Sequence, residues 1–562
     1  MTDDGLLLVP LGGTGEIGLN VMLYGLNGRW LMVDCGITFA DETLPGVEIV
    51  LPDLRFIEAN ASKLDGLVLT HAHEDHYGAV AYVWERLGCP VWCTPFTAAM
   101  LRNKLQETRL LGRVPINVVE PGQPFSVGPF DCSLVHMTHS IAESSALVLD
   151  TPFGKVVHSG DWKLDPEPLV GEPTDIATLE RLGDGGVLAL VSDSTNIFNP
   201  GTSGSEAEVR ASLTELIAKQ PDRVVVTTFA SNVARIESVM LAAEAAGREI
   251  VLAGRSMHRV VAAAKEAGYL KTMPEVMPER HAADLPRDRV VILSTGCQGE
   301  ARAAMARMAN GSHPHLRLDP GDTVIFSSKI IPGNERILYN LHNQLVRGGV
   351  EVITEQDHFV HVSGHPCRDE VGQLYRWLRP QIAIPVHGES RHLHEHRRFA
   401  TELGIKRTVE LANGDMVRIA PGEPEHVDDV PVGRIAVDAT AGQVDTGADV
   451  FRERRRLMHN GTIFVSLVMD DVGSLIADPQ ITAIGSIRLA DEGARTTLVE
   501  AIVDAIEDLA DWQAAEDGRV IEAVRGGVRR GLELGRDKRP LIEVQVTRLN
   551  AETLSALEGA AS

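Results

Sequence analysis

The chain has 562 residues, too long for one hydrophobic core, so several domains are expected. Hydrophobic residues make up 44% and aromatic ones only 4%, which excludes a disordered chain and predicts aliphatic cores. A formal net charge of −25 argues against general attraction to nucleic acid and leaves room only for a locally positive or metal-lined channel.

No apolar run is long enough to cross a bilayer. The start, MTDDGLLLVP, lacks the basic-then-apolar pattern of a signal peptide. A cytoplasmic protein without a membrane partner is therefore expected. Cys35, Cys89, Cys93, Cys132, Cys297 and Cys367 form no disulfide-like framework. Cys89 and Cys93 lack a second Cys/His pair at matching spacing, so buried or free thiols are expected rather than half a zinc site.

Residues 1–204 read as short apolar strands separated by turns: LLLVPL, WLMVDCG, GLVLTH, VWCTPF, FDCSLVHMTH, SSALVLD, KVVHSGD and VLALVSD. One helix is expected between Tyr77 and Leu87. GTGEIG, from Gly13 to Gly18, fits a dinucleotide fingerprint, with Asp34 at a suitable distance. The residues after Gly18 read as a hairpin rather than a helix, so a glycine-rich turn is the better account. Residues 205–355 alternate strands with helices, as in RVVVTTF before VARIESVMLAAEAAG, which predicts a parallel α/β sheet. Residues 356–425 return to short strands. A linker is placed at 426–450, around PGEPEHVDDVPVG. Residues 451–562 read as a small α/β unit with strands TIFVSLVM and PLIEVQVTRL and helices around 496–512 and 518–533. An apolar stripe of Leu498, Ile502, Ile506 and Leu509 suits either self-association or packing on its own domain.

THAHEDHYG, residues 70–78, gathers His71, His73, Glu74, Asp75 and His76. Residues two apart in extended chain point the same way, so His71 and His73 can grip one metal ion. His76 breaks the alternation and can reach a second ion beside Asp75. Other strands also deliver an Asp or His at their carboxyl ends: Asp34, His139, Asp161, Asp193 and His387. Side chains converge at such ends. Imidazole and carboxylate without thiolate suit zinc or a similar divalent ion. Two ions about 3.5–4 Å apart can share an oxygen ligand and activate water. Bridging them suits a carboxylate such as Asp161.

HAHEDH resembles the HxHxDH signature of the metallo-β-lactamase fold. SDSTN, TFASNVARI, GRSM, TGCQGE, SSKIIPGNE, HVSGHP and VHGESRHL, with GGTGEIGLN near the start, resemble the β-CASP nucleases of the ribonuclease J group. The match covers essentially the whole chain and is weakest at the C-terminal unit. It implies a metallo-β-lactamase αββα sandwich in two parts, 1–204 and 356–425, interrupted by a β-CASP domain at 205–355. A C-terminal α/β domain at 451–562 completes the expected α/β architecture.

The resemblance also implies roles. His71, His73 and His139 hold one zinc; Asp75, His76 and His387 hold a second; Asp161 bridges. Asp34 orients a ligand from behind. Asp193 is the motif carboxylate. His365 lies near the scissile phosphate as general acid or stabiliser of the leaving oxygen. Ser363, Gly364 and His365 border a pocket for an RNA 5′-monophosphate. The expected activity is that of a zinc-dependent 5′→3′ exoribonuclease, with internal cleavage as a second mode, working by metal-bound hydroxide attack on the phosphodiester. Two Zn2+ per subunit are expected, with Mn2+ or Mg2+ as other ions that support activity. Single-stranded RNA is the expected substrate, RNA processing and decay the expected setting, and a homodimer or homotetramer the expected assembly. The family's HSIPDS is HSIAES here, at 139–144, which puts substrate handling rather than chemistry in question.

Plainer readings stand beside these. Asp161 and His387 can be a capping Asp and a strand-end His, Asp193 a turn-forming residue, and Ser363 loop filler. His313, His315, His392, His394 and His396 are expected at the surface. The Arg452–Arg456 run reads as a solvated helix face. Two other functions compete: a same-fold hydrolase of small esters or lactams, which needs no nucleic-acid clamp, and an inactive RNA-binding scaffold, which needs no complete ligand set.

Overall fold

The computed structural model describes residues 5–485, 492–532, 540–550 and 552–553. The chain divides into two compact units, Met1–Phe39 with Ile49–Ile435, and Ala40–Glu48 with Ala436–Ser562.

The larger unit contains two sheets packed face to face. The first has eight strands in the order Glu425–Asp429, Asp415–Ala420, Leu6–Gly12, Val21–Leu26, Arg29–Val33, Leu64–Val68, Val91–Cys93 and Ile116–Val118. The second has seven, in the order Pro124–Val127, Phe130–His136, Ser145–Thr151, Gly154–His158, Val187–Asp193, Ile382–Val386 and Arg407–Thr408. Alternate side chains of each sheet turn inward, so Leu8, Tyr24, Leu31 and Val68 share a core with Phe130, Leu147, Val191 and Ile384. Each aliphatic side chain buried this way contributes about 1.5–3 kcal/mol. The other face of the second sheet packs on helices Ile176–Gly185, Arg368–Leu378 and Ser390–Glu402 through Leu179, Leu374 and Ala400. Helices Val80–Leu87 and Pro95–Glu107 connect strands of the first sheet. The result is the expected αββα sandwich.

Inserted in it is a third sheet of six strands, all parallel: Val276–Met277, Glu249–Ala253, Val290–Ser294, Val224–Thr227, Thr323–Phe326 and Glu351–Ile353. Its four central strands are buried on both faces, as expected when helices cover both sides. Val224 and Val226 enter one core and Val225 the other.

The glycine-rich segment behaves as a turn. Gly13 has φ 80°, and the chain continues into the antiparallel hairpin of Val21–Leu26 with Arg29–Val33 instead of a helix. Residues 356–425 differ from the expectation of short strands, because helices Arg368–Leu378 and Ser390–Glu402 occupy much of the segment. Within PGEPEHVDDVPVG, Glu425–Asp429 is an edge strand paired antiparallel to Asp415–Ala420. Three of the histidines expected at the surface are buried: His313, His392 and His396. His396 is fully covered because Ser194 Oγ lies 2.9 Å from its Nδ1 and Tyr375 Oη 3.1 Å from its Nε2. His313 Nδ1 accepts from the Leu316 N–H at 3.1 Å, and His392 Nδ1 accepts from the Glu389 N–H at 3.2 Å. All six cysteines are free and buried, and burial pushes the Cys89 and Cys93 thiols up to about 12.

The smaller unit has a three-stranded sheet, with Thr462–Asp470 between antiparallel Gln480–Ile484 and parallel Leu541–Leu549. Helices Glu492–Glu507 and Asp517–Gly531 cover it. Residue 533, the end of the second expected helix, lies outside the described residues. Leu498, Ile502 and Ile506 are buried among Val520, Val524 and Val528, with Leu509 packed against them. The apolar stripe therefore packs on its own unit.

Candidate metal centre

Six loops meet at one end of the two facing sheets, and the one after strand Phe130–His136 carries His139. Strands Arg29–Val33 and Leu64–Val68 run parallel in the first sheet, and Gly154–His158, Val187–Asp193 and Ile382–Val386 run parallel in the second. Their carboxyl ends deliver Asp34, the 71–76 cluster, Asp161, Asp193 and His387 to the same place. Asp34 and His387 take up φ 60° and 51°, a region that non-glycine residues rarely adopt, so the backbone at both positions is strained. Hydrogen bonds hold them there: Asp34 N–H donates to Val68 O at 2.9 Å and His387 N–H to Gly13 O at 2.9 Å.

Three overlapping donor sets meet here, one of them Asp161, Asp193, His365 and His387, and the other two match the expected ligand sets. His71, His73, His139 and Asp161 form one of those two, and Asp75, His76, Asp161 and His387 the other, with the ligating atoms of each set within 4.8 Å of one another. His73 Nδ1 stands 3.1 Å from His71 Nε2 and 3.0 Å from His139 Nε2. Asp161 Oδ2 lies 3.9 Å from His71 Nε2 and from His139 Nε2, and 3.2 Å from His76 Nε2. His387 Nε2 is 3.4 Å from Asp75 Oδ2.

The outward ring nitrogens are held by other groups, which fixes each ring's direction. His76 Nδ1 bonds Asp34 at 2.7 Å, while the same carboxylate accepts from Thr70 N–H and Oγ1. His71 Nδ1 bonds Thr70 Oγ1, His73 Nε2 bonds Ser231 Oγ, and His139 Nδ1 bonds Gly364 O. Gly364 is required at its position, since a Cβ there would meet Ser140 Oγ at 2.7 Å and His139 Cε1 at 2.9 Å.

The donor chemistry fits divalent cations. Burial holds His71 and His139 well below the usual imidazole range, with nearby His76 and His73 adding to the effect. Burial also lowers His73 to about 4. These three rings therefore offer lone pairs at neutral pH. Burial alone would raise Asp161, but His387, His76 and His365 hold it well below the carboxylate range. Burial likewise opposes a charged His387, yet Asp161, Asp193 and Asp75 raise it to about 10. Without an ion, protons on the second set balance the buried carboxylates. Clustered imidazoles and carboxylates without thiolate suit zinc or a similar divalent ion.

Asp193 and His365 adjoin both sets. His365 Nδ1 lies 2.8 Å from Asp193 Oδ2 and 3.8 Å from Asp161 Oδ2. Burial opposes charge on His365, but Asp193 and Asp161 outweigh it and raise the imidazole. Ser363 Oγ accepts from the Asn196 amide at 2.7 Å and from His365 N–H at 3.1 Å. Every expected site residue thus lies in one cluster or borders it. Sequence reasoning gave no role to Thr70, Thr195, Asn196 and Ser231. Thr195 Oγ1 donates to Asp193 at 2.7 Å and lies 2.8 Å from His387 Nδ1. TFASN and SDSTN contain three of the four, so those motifs were the available signal.

A family model described as the ribonuclease J β-CASP domain matches residues 221–345. A ribonuclease J of Sinorhizobium meliloti is 43% identical over 554 residues, 97% of this chain and 98% of its own. The chain belongs to the ribonuclease J family. Models of the metallo-β-lactamase superfamily, a Zn-dependent metallo-hydrolase RNA specificity domain and the ribonuclease J C-terminal domain match residues 14–228, 349–409 and 449–549. A ribonuclease J of Corynebacterium glutamicum is 37% identical over 98% of this chain and 77% of its own. A crystal structure of a protein of unknown function from Enterococcus faecalis V583 shares the fold, with TM-score 0.52 and 15% identity over 73% of this chain and 99% of that one.

Proposed function

We propose that this ribonuclease J family member is a zinc-dependent 5′→3′ exoribonuclease. It acts on single-stranded RNA, prefers a 5′-monophosphate end, and can also cleave internally. The observation that carries the reading is the pair of donor sets sharing Asp161 beside the Asp193–His365 pair. The relatives' name, ribonuclease J, supports RNA as substrate.

His71, His73 and His139 would hold one Zn2+, and Asp75, His76 and His387 the other, with Asp161 between them; Mn2+ or Mg2+ are ions that can also support activity. When bound, the two ions supply Lewis-acid activation of water and of the phosphodiester. Asp34 orients His76, and Asp193 holds the proton on His365 Nδ1. His365 then presents its Nε2 proton to the leaving oxygen as general acid. Ser363, Gly364 and His365 receive the 5′-phosphate, with Asn196 fixing Ser363. Among the described residues no helix is long and apolar enough to cross a membrane. The proposed setting is RNA processing and decay in the cytoplasm, as a homodimer or homotetramer.

The test compares internally labelled RNAs carrying a 5′-monophosphate or a 5′-triphosphate, with wild type and His365→Ala. Fast loss of the monophosphate form to mononucleotides, and slow loss of the triphosphate form, is the expected result. Equal fragmentation of both would remove the 5′ preference. Inactivity on both, alongside turnover of small esters, would replace the reading with a small-molecule hydrolase.

A further inference from the structure

In HSIAES, Glu143 ties the two lobes of the larger unit together. It has φ 59°, a backbone conformation unfavourable for a residue with a Cβ. It is nonetheless 9% exposed, and its carboxylate is shared between two lobes. Oε2 accepts from the Phe96 N–H at 2.6 Å, at the start of helix Pro95–Glu107 in the sandwich. Oε1 accepts from Tyr269 Oη at 3.1 Å, in the β-CASP lobe. An acceptor at a helix N-terminus is favourable twice over, for the orphan N–H and for the helix dipole.

The loop around Glu143 joins the metal centre to the β-CASP core. His139, four residues earlier, faces the first donor set. Ile141 and Ala142 are buried with Val209, Leu213 and Val233 of the β-CASP core, and Phe96 lies in the same cluster. Ser144, the next residue, donates to the Asp161 backbone carbonyl at 2.8 Å. One short loop therefore touches His139, Asp161, the sandwich helix and the β-CASP lobe. Glu143 is its polar anchor on the lobe side.

We propose that Glu143 and Tyr269 form a positioning pair that clamps the 139–145 loop between the lobes, so that seating of the β-CASP lobe sets the placement of His139. The zinc and activity arms of its test rest on the proposed function, and the loop-exchange arm does not. The test uses the full chain as Tyr269→Phe, Glu143→Ala and the double variant. Tyr269→Phe removes one O–H and keeps the ring, so it leaves folding intact, and the thermal midpoint checks this.

Hydrogen exchange across 139–145 and zinc affinity by competition with a chelating dye are read first, then kcat and KM on 5′-monophosphate RNA. In Tyr269→Phe the loop exchanges faster, zinc binds several-fold more weakly, and kcat falls more than KM rises. The double variant is no worse than Glu143→Ala alone, because both remove one clamp. Unchanged loop exchange and zinc affinity in Tyr269→Phe, or strictly additive effects, would overturn the proposal. A wild type inactive on RNA whose loop still loosens in Tyr269→Phe would refute the nuclease function and leave the clamp standing.

Discussion

Asp34 belongs to none of the donor sets, yet it fixes His76 by a 2.7 Å bond and is itself held by Thr70. Removing such an orienting carboxylate lowers metal affinity by about 10–100-fold, so Asp34→Ala should bind zinc that much more weakly in a competition titration. Protonation separates the two donor sets. His73, at about 4, is neutral at pH 7, so filling the His71, His73 and His139 set should release no protons there. His387, at about 10, is charged at pH 7, so filling the other set should release protons and tighten as pH rises. Calorimetric titration in two buffers of different ionisation heat reads this directly. In the metal-free chain, His387 is raised above its ordinary value near 6.5, so its contribution to stability is complete below that pH and lost as pH climbs towards 10. The melting temperature of the stripped protein should fall across that window.

Elements were legible wherever a period was clean. The parallel sheet was readable from valine-rich strands alternating with amphipathic helices, and the site from strands that each end in Asp or His. Helix Arg368–Leu378 lay in a segment read as short strands, although it was readable from Val371, Leu374, Tyr375 and Leu378, which repeat at helical spacing and are buried. Helix Ser390–Glu402 was not, because its buried face holds His392 and His396 beside Leu393 and Ala400. His396 looks solvated until Ser194 and Tyr375 arrive from elsewhere in the chain, while His392 is held locally by the Glu389 N–H. Ser231 and Tyr269 are likewise single polar residues whose partners no local spacing announces. Between elements, Arg235 is a buried polar tie. It is fully buried, pairs with Glu206 at 2.9 Å, and donates to Ser327 and Val360. Arg235→Ala would leave the Glu206 carboxylate buried without its ion-pair partner, held by the Asn232 amide, at a cost of about 3–5 kcal/mol. Hydrogen exchange in helix Glu206–Lys219 should rise accordingly.

Across the whole molecule, the net charge of −25 means that phosphate recognition must be local. In the proposed function the donor sets and the backbone around Gly364 supply that locality. The smaller unit has its own core, and its helix stripe is already buried there. The proposed self-association through residues 451–562 would therefore use another face of that unit. A chain ending before residue 450 should fall to monomer mass in light scattering, and an unchanged mass would place the interface elsewhere.

Hydrolysis of RNA by metal ions held in these two donor sets is tested most directly by the metal content of the purified chain. It is taken beside RNA hydrolysis, for wild type and Asp161→Asn. Two ions per wild-type chain, activity lost on chelation and restored by zinc, and an Asp161→Asn chain that is inactive with at most one ion are the predicted results. Undiminished RNA hydrolysis by the metal-free chain, or by Asp161→Asn, would contradict a metal-dependent nuclease.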